Sequence, residues 1–111
     1  MCEVSEMAQP DCVTNPGSIK IVAKMPVAEE NVEAFKTLAA ELVEKSRQEP
    51  GNIFYSLNVH KKDPCLLSFI ECWKDKDAVK SHNASEHFTR IFPQLSALCT
   101  AQPSAEMFVE V

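Results

Sequence analysis

The chain predicts a single α+β domain whose elements follow the order β-α-β-β-α-β. Apolar residues alternate with a period of two in three segments, form a mostly apolar run in a fourth and change to helical spacing in two others, and prolines or glycines separate most of them. With 111 residues, of which 45% are hydrophobic, the chain is long enough to bury one core and too short for a second domain.

The first half of the chain predicts an extension, a strand and a helix. Residues 1–18 contain two prolines and a glycine without a sustained period, so we expect an N-terminal extension before a domain at 19–111. The first strand buries one alternating set, Ile19, Ile21, Ala23 and Met25, and ends at Pro26. Helical spacing of apolar residues then runs from Glu29 to Arg47, and Pro50-Gly51 stops the helix.

The second half predicts a hairpin, a helical region and a last strand. Strands at Ile53 to His60 and Leu66 to Trp73 are joined by a short turn. Asp75 is a suitable N-cap for the helical region that follows, and Pro93 within that region predicts a kink or a fresh helical start. Alternation from Ala105 to Val111 gives the final strand.

This order of elements is the split β-α-β, or ferredoxin-like, arrangement, a four-stranded antiparallel sheet with its helices on one face. The strand Leu66 to Trp73 is mostly apolar on both of its faces, although an antiparallel sheet that meets water should alternate. We therefore expect a second copy of the chain to cover the far face, which predicts a homodimer.

Composition and charge argue against several classes of partner. A net charge of -5 offers no electropositive footprint for nucleic acid, and no apolar run approaches the ~20 residues that span a membrane. Glu3 and Glu6 stand where a signal peptide would be basic or apolar, and five cysteines without a Cys-x-x-Cys pair fit free thiols in a reducing compartment. The sequence thus predicts a cytoplasmic protein.

The third strand ends in Glu71-x-Trp73, where chemistry is first expected. Glu71 and Trp73 are two residues apart, so they share a face with Phe69. A buried carboxylate needs a partner and tends to acquire a raised pKa, which suits catalysis, although pairing with a lysine or capping a helix would also satisfy it. Trp73 is open to two interpretations, a core residue or a wall of a site.

Three histidines and a tyrosine are further candidates. His82 and His87 are five residues apart, about 140° on a continuous helix, so only a break near Ser85 would let both face one cavity. His60 is expected at the surface end of its strand, and Tyr55 is either core or a donor in a pocket wall. The histidines lack the close spacing of a zinc site and no aspartate or cysteine completes one, so no metal is expected.

One combination of motifs resembles a known family. It comprises Glu49-Pro50-Gly51, Tyr55 and His60, Glu71-x-Trp73, and His82 with Ser85-x-His87-Phe88. From about Ile19 to Val111 the chain resembles the antibiotic biosynthesis monooxygenase (ABM) domain family, small dimeric α+β barrels. That resemblance implies the fold more specifically than the reaction, because the relatives range from quinol and polyketide monooxygenases to an isomerase-like enzyme and haem-degrading enzymes.

The leading hypothesis is a cofactor-independent monooxygenase that acts on a small aromatic quinol or polyphenol with molecular oxygen. A deprotonated dihydroxyarene reduces O₂ itself, so the protein need supply only a base, an apolar pocket and donors. His82 is the expected base, with Trp73 stacked on the ring and Glu71 as the third catalytic residue. The predicted substrate-binding residues are Tyr55, Asn58, His60, His87 and Phe88.

Two other functions remain open on the same residues. A non-catalytic small-molecule-binding or stress-related barrel could use the same pocket without a reaction, because a fold does not imply a function. A proton-transfer isomerase of a small carbonyl compound would use a histidine and a glutamate without oxygen. The sequence contains no Gly-rich phosphate-binding loop, so neither a flavin nor a nicotinamide cofactor is expected.

Overall fold

The structure, a computed structural model, describes residues 14–111, so most of the predicted extension 1–18 lies outside the described residues. The strands are β1 (Ile19–Pro26), β2 (Asn52–Val59), β3 (Leu66–Trp73) and β4 (Ser104–Val109). The helices are α1 (Val32–Arg47), α2 (Lys76–Asn83) and α3 (Glu86–Ala97), and a 3₁₀ turn at Glu29–Asn31 leads into α1. The predicted α+β fold is confirmed, and its second helical region consists of two helices.

The four strands form one antiparallel sheet in the order β2-β3-β1-β4. Its register aligns Tyr55 of β2, Glu71 of β3, Ile21 of β1 and Met107 of β4 across the sheet. Residues that pair directly across strands point to the same face. This row therefore brings a phenol, a carboxylate and two apolar side chains to one face, which we call the inner face.

The helices cover the inner face and bury the core against it. Each buried large apolar side chain stabilises the fold by about 1.5–3 kcal/mol relative to exposure. The largest fully buried side chains include Trp73, Tyr55, Phe35, Phe69, Met25 and Leu42. The alternating set of β1 lies on this face as predicted, with Ile21, Ala23 and Met25 buried.

The last strand is the least covered part of the inner face. Met107 and Val109 pair with Ile21 and Ile19 of β1, yet their exposed fractions are 59% and 63%. The helix layer thus shelters β1 and β3 and leaves β4 open to its surroundings. Just before β1, the amide of Asn15 donates to Oε2 of Glu110 at 2.8 Å, which ties the start of the domain to the end of the sheet.

The opposite face of the sheet, the outer face, carries no helix and is partly apolar. Phe54 and Phe108 are exposed there, while Val22 and Ile70 are half-buried. A shallow depression of about 230 Å³ lies along β1, β2 and β3 on this side. Coverage of this face by a second copy stays a prediction.

Helix starts and stops follow local capping chemistry. The Asp75 carboxylate accepts the amide of Ala78 at 2.8 Å, which makes Asp75 the N-cap of α2, as predicted. Helix α3 continues through Pro93, so of the two predicted outcomes, a kink or a fresh start, the fresh start is wrong. A proline removes only one backbone donor, whereas a new helix needs a cap, and Ser85 supplies that cap eight residues earlier. No helix in residues 14–111 is both long and apolar enough to cross a membrane.

Candidate active site

An apolar cavity of about 160 Å³ lies between the inner face of the sheet and helices α2 and α3. Most of its lining is aliphatic or aromatic, with four polar side chains added. The apolar lining is Ile21, Ala23, Phe69, Phe88, Phe92, Ala105 and Met107, and the polar lining is Tyr55, Glu71, His82 and Asn83. Small-molecule sites usually combine an apolar lining with a few convergent polar groups, and this cavity has that composition.

Among the titratable side chains that line the cavity, His82 is the most deeply buried, with an exposed fraction of 1%. Its Nδ1 lies 2.7 Å from Oε2 of Glu49, while its Nε2 is buried and has no hydrogen-bond partner among residues 14–111. Burial lowers the pKa of His82 below its ordinary value of 6.5, and the Glu49 carboxylate opposes that shift. The imidazole is therefore neutral at neutral pH and retains one basic nitrogen.

Glu49 reaches His82 from the turn between α1 and β2. The amide of Asn52 donates to the carbonyl of Glu49 at 3.0 Å, and the amide of Lys74 donates to the carbonyl of Gly51 at 2.9 Å, so the turn is fastened to the end of β3. A Cβ atom at Gly51 would lie 2.4 Å from Cβ of Ala78 in α2. Glycine thus lets the turn and α2 approach closely enough for Glu49 to contact His82.

The break between α2 and α3 brings His87 to the same carboxylate. Oγ of Ser85 accepts the amide of Phe88 at 3.2 Å and donates to the carbonyl of His82 at 2.6 Å, so a new helix begins. Nε2 of His87 then lies 2.7 Å from Oε2 of Glu49. The predicted break near Ser85 is present, and it turns both histidines toward Glu49.

Glu71 is a buried carboxyl group in the opposite wall of the cavity. Nε1 of Trp73 donates to Oε1 of Glu71 at 2.8 Å. The pKa of Glu71 is raised from 4.5 to about 7, mainly by burial; the Trp73 hydrogen bond opposes this shift and the nearby charge of Glu49 adds to it. A large share of the Glu71 carboxyl groups is therefore protonated at neutral pH.

Aromatic rings surround His82 on several sides. The His82 ring lies 4.5 Å from Trp73, 4.9 Å from Phe88 and 5.4 Å from Tyr55, measured between ring centroids. Trp73 is fully buried and packs against His82, and the structure does not bring it to the cavity wall. Burial raises the pKa of Tyr55 above its ordinary value, so its hydroxyl stays protonated.

Three of the predicted substrate-binding residues do not line this cavity: Asn58, His60 and His87. His87 contacts Glu49 behind the cavity. Asn58 and His60 line the depression on the outer face instead. The Asn58 amide donates to Ser56 at 3.1 Å, and Nδ1 of the exposed His60 accepts the amide of Lys62 at 3.0 Å. Strand alternation explains the difference, because Tyr55 and Asn58 differ by an odd number of positions.

One cluster of side chains resembles a metal-binding set. The possible ligand atoms of Glu49, His82 and His87 lie within 4.8 Å of one another. The sequence predicted that no aspartate or cysteine would complete a site with the histidines, and it left Glu49 out of account; Glu49 joins two of them. Both ring nitrogens lie at hydrogen-bond distance from a single oxygen, Oε2. Hydrogen bonds from both rings to Oε2 account for these distances when each ring carries hydrogen on the nitrogen that faces Glu49.

A larger groove of about 600 Å³ lies on the surface between α1 and β2. Its polar side chains include Lys36, Glu44, Arg47 and Gln48, all exposed. Nε of Arg47 donates to the carbonyl of Tyr55 at 2.8 Å on the edge strand β2. The groove is open and lacks a buried acid or base, so it is a weaker candidate than the smaller cavity.

The description of one protein family fits this chain over most of its length. The family model for antibiotic biosynthesis monooxygenases matches residues 18–94, which include β1 to β3 and the cavity residues Tyr55, Glu71 and His82. The chain belongs to this family. The ABM fold and the resemblance noted in the sequence are thereby confirmed.

Individual proteins and crystal structures are also similar to this chain. The Bacillus subtilis (strain 168) protein named "Putative monooxygenase YcnE" is 37% identical over 70 residues, which cover 63% of this chain and 74% of that protein. A conserved protein from Methanosarcina mazei Go1 has a crystal structure similar at a TM-score of 0.86, with 31% identity over 87% of this chain and 96% of that one. A crystal structure described as an antibiotic biosynthesis monooxygenase gives a TM-score of 0.80 and 38% identity, covering 84% and 98%.

Sequence reasoning missed Glu49 as a chemical group. The residue stands directly before Pro50-Gly51, so the local pattern identifies it as part of a helix stop. The signal that could have found it is the position of this turn, since Asn52 pairs with Trp73 and brings the turn to the end of β3 where Glu-x-Trp lies. The ABM family points to monooxygenase chemistry.

Proposed function

We propose that this ABM protein is a cofactor-independent monooxygenase that oxidises a small aromatic quinol or polyphenol with molecular oxygen. His82 is the general base, Glu71 is the general acid, and Tyr55 and Phe88 contact the substrate. Family membership supports monooxygenase chemistry, and the arrangement of the cavity supports the choice of residues.

One observation carries the assignment of the base. His82 has Nδ1 bonded to Glu49 and leaves a buried Nε2 without a partner in the described chain, in the wall of an apolar cavity. A base must be unprotonated to accept a proton, and burial favours the neutral form of this imidazole by lowering its pKa. His82 therefore meets both the geometric and the electrostatic requirement for accepting a proton from a phenol.

The size of the cavity supports a substrate with one aromatic ring. An apolar cavity of about 150 Å³ is large enough to bind benzene. The cavity here has a volume of about 160 Å³, so a dihydroxybenzene fits and a fused polycycle requires more room. Phe88 and Phe69 offer ring surfaces for edge-to-face contacts with such a substrate.

The reaction can be written with oxygen as the only oxidant. His82 removes a hydroxyl proton, and the resulting phenolate passes one electron to O₂ before the radical pair combines at a ring carbon. The carbon hydroperoxide then loses water, so that a dihydroxybenzene and O₂ give a hydroxybenzoquinone and H₂O. One oxygen atom enters the ring and the other leaves as water, and four electrons pass from the ring to O₂.

Glu71 suits the second half of this sequence. A carboxyl group with a pKa of about 7 remains partly protonated while His82 is neutral, so an acid and a base coexist in one cavity. Oε1 of Glu71 accepts the indole N–H of Trp73, which leaves the second oxygen available to protonate the departing peroxide oxygen. Trp73 accordingly supports Glu71 and His82 from behind the cavity.

The proposal includes a homodimer. The outer face carries exposed Phe54 and Phe108, and a second sheet packed against it would bury both. The cytoplasmic location belongs to the same proposal and rests on the five cysteines, which include no Cys-x-x-Cys pair.

Oxygen consumption tests the proposed activity directly. Wild-type protein with single-ring quinols should take up O₂ faster than buffer, and His82→Ala should lose about 10²-fold or more, the usual scale for a general base. Glu33→Gln on the exposed side of α1 is the control, because the Glu33 side chain is 88% exposed and does not line the cavity. All variants are compared at matched thermal stability, with spontaneous quinol oxidation subtracted.

A second candidate function rests on the same acid–base pair. A base and a protonated carboxyl group facing one cavity also suit proton-transfer isomerisation of a carbonyl compound, which needs no oxygen. Turnover that continues at full rate under nitrogen would favour the isomerase. Ligand-induced thermal stabilisation without any turnover would instead favour a binding protein.

A further inference from the structure

The contacts of Glu49 determine which nitrogen of His82 carries hydrogen. Oε2 of Glu49 lies 2.7 Å from Nδ1 of His82, and an ionised carboxylate only accepts hydrogen bonds. Nδ1 must therefore be the protonated nitrogen of the neutral ring, because which tautomer a histidine adopts is set by the hydrogen bond of its other nitrogen. Nε2 is left with its lone pair, as a base requires.

His87 fixes Glu49 in turn. Its Nε2 donates to the same oxygen at 2.7 Å, and the side chains of both residues are only about one-seventh exposed, at 14% and 13%. A second donor satisfies a half-buried carboxylate and restricts its rotation, so Oε2 stays directed at His82. The order of contacts runs from the partly exposed His87 through Glu49 to the fully buried His82.

We propose that Glu49 and His87 are positioning residues, which hold His82 in the Nδ1–H tautomer so that Nε2 is the proton acceptor of the cavity. The tautomer is inferred from the contact geometry alone. Its consequence for catalysis rests on the proposed function. This assignment changes the role expected for His87, which the sequence predicted as a substrate-binding residue.

Four other titratable side chains of the described residues lie around His82 and have to be considered in any pH experiment. Glu71 of β3 and Tyr55 of β2 face the cavity, Glu49 comes from the turn before β2, and His87 comes from α3. Tyr55 stays neutral over the accessible range, and Glu71 loses its proton near pH 7. Variants are therefore measured both at pH 6 and at pH 8, where Glu71 is mainly protonated and mainly ionised.

Nitrogen NMR of the histidine rings tests the tautomer without any substrate. In ¹⁵N-labelled wild-type protein, two-bond correlations should identify His82 as protonated on Nδ1 and unprotonated on Nε2. Glu49→Ala should convert this ring to a mixture of tautomers, and Glu49→Gln, which keeps an acceptor oxygen, should retain most of the Nδ1–H form. Glu33→Gln is the matched control and should leave the His82 signals unchanged.

Kinetics with a single-ring quinol supplies the second measurement. Glu49→Ala should lower kcat by about 10- to 100-fold, the scale for removing an outer partner of a functional histidine, with little change in KM. Glu49→Gln should restore part of that loss, and His87→Ala should give a smaller loss than Glu49→Ala.

The two measurements separate the possible failures. An Nε2–H tautomer in wild-type protein, or an Nδ1–H tautomer that persists in Glu49→Ala, would overturn the positioning role whatever the activity. The expected tautomer pattern in a protein without quinol oxidation would leave the positioning role supported and would instead refute the proposed function. Should Glu49→Ala fail to fold, Glu49→Leu takes its place, because leucine fills similar space without an acceptor oxygen and should give the same mixture of tautomers.

Discussion

The two faces of the sheet use polar side chains in opposite ways. On the inner face Glu71 and Tyr55 lie in a row beneath the helices, buried to 5% and 2% exposure, and Glu71 is bonded to another side chain of the site. On the outer face Ser56 and Asn58 donate to backbone carbonyls of β2 and β3 and keep partial contact with the surroundings. The difference shows what a second layer of structure does to a polar strand residue. Beneath the helices Glu71 depends on a side-chain partner and has a raised pKa, whereas Ser56 and Asn58 bond to the strand backbone.

The outer face offers the strongest test of this contrast. If a second copy covers it, Ile70→Asp should place an unpaired charge in an apolar interface and weaken dimerisation by roughly 4 kcal/mol, or ~10³-fold in Kd. Light scattering after gel filtration at micromolar concentration should give about twice 12.4 kDa for wild type and the monomer mass for the variant.

Ala34→Asp is the matched control for that experiment. Ala34 is exposed near the start of α1, where an added carboxylate suits the helix dipole, so the control should stay dimeric. A wild-type protein that elutes as a clean monomer would remove the explanation given for the apolar outer face.

The inner face predicts a pH-dependent stability that a single substitution removes. The pKa of Glu71 is about 7 in the folded protein against 4.5 for an unperturbed carboxyl group, so the folded state binds this proton more tightly. That contribution is complete below pH 4.5 and is lost as the pH rises through 7, about 3 kcal/mol in all at 1.4 kcal/mol per unit. Glu71→Gln should therefore gain stability relative to wild type as the pH rises from 5 to 8.

Urea unfolding of the two proteins at each pH measures that difference. Subtracting the wild-type free energy of unfolding from that of Glu71→Gln cancels the surface carboxylates, including Glu41 and Glu110, whose pKa values are lowered by neighbouring cations. A difference that does not vary with pH would mean that Glu71 is ionised throughout.

The smallest expected effect concerns the indole that holds Glu71. The indole N–H of Trp73 donates to Glu71 and stabilises its ionised form. Trp73→Phe keeps an apolar ring and removes this donor. The pKa of Glu71 should rise further, by roughly one unit. Carbon NMR of the labelled carboxyl group follows this titration, and an unchanged or lowered pKa in the variant would contradict the role assigned to Trp73.

The fold was predictable because it depends on short-range patterns. The alternation in β1, the helical spacing before Pro50 and the cap at Asp75 each report local structure, and the structure has all three. The turn at Ser85 was also foreseeable, since serine after a helix end is a ready N-cap. Pro93 was misleading because a helix already capped elsewhere tolerates the loss of one donor.

The site was only partly predictable because its geometry depends on contacts between distant segments. Glu49 and His82 are separated by 33 positions, and only the pairing of β2 with β3 brings them together. Face assignment needed no structure, however. Counting alternate positions from Tyr55 already separates Asn58 and His60 from the cavity, while the position of Trp73 behind His82 depends on packing that no periodicity encodes.

Gly51 restricts how this molecule can vary over evolution. Because any side chain there would overlap Ala78, a substitution would push α2 away from the turn and carry His82 out of reach of Glu49. A scan of all single substitutions would then rank position 51 beside the acid and the base, although glycine has no group that reacts. Positions that set the distance between segments should therefore be as intolerant of substitution as the positions that carry the chemistry.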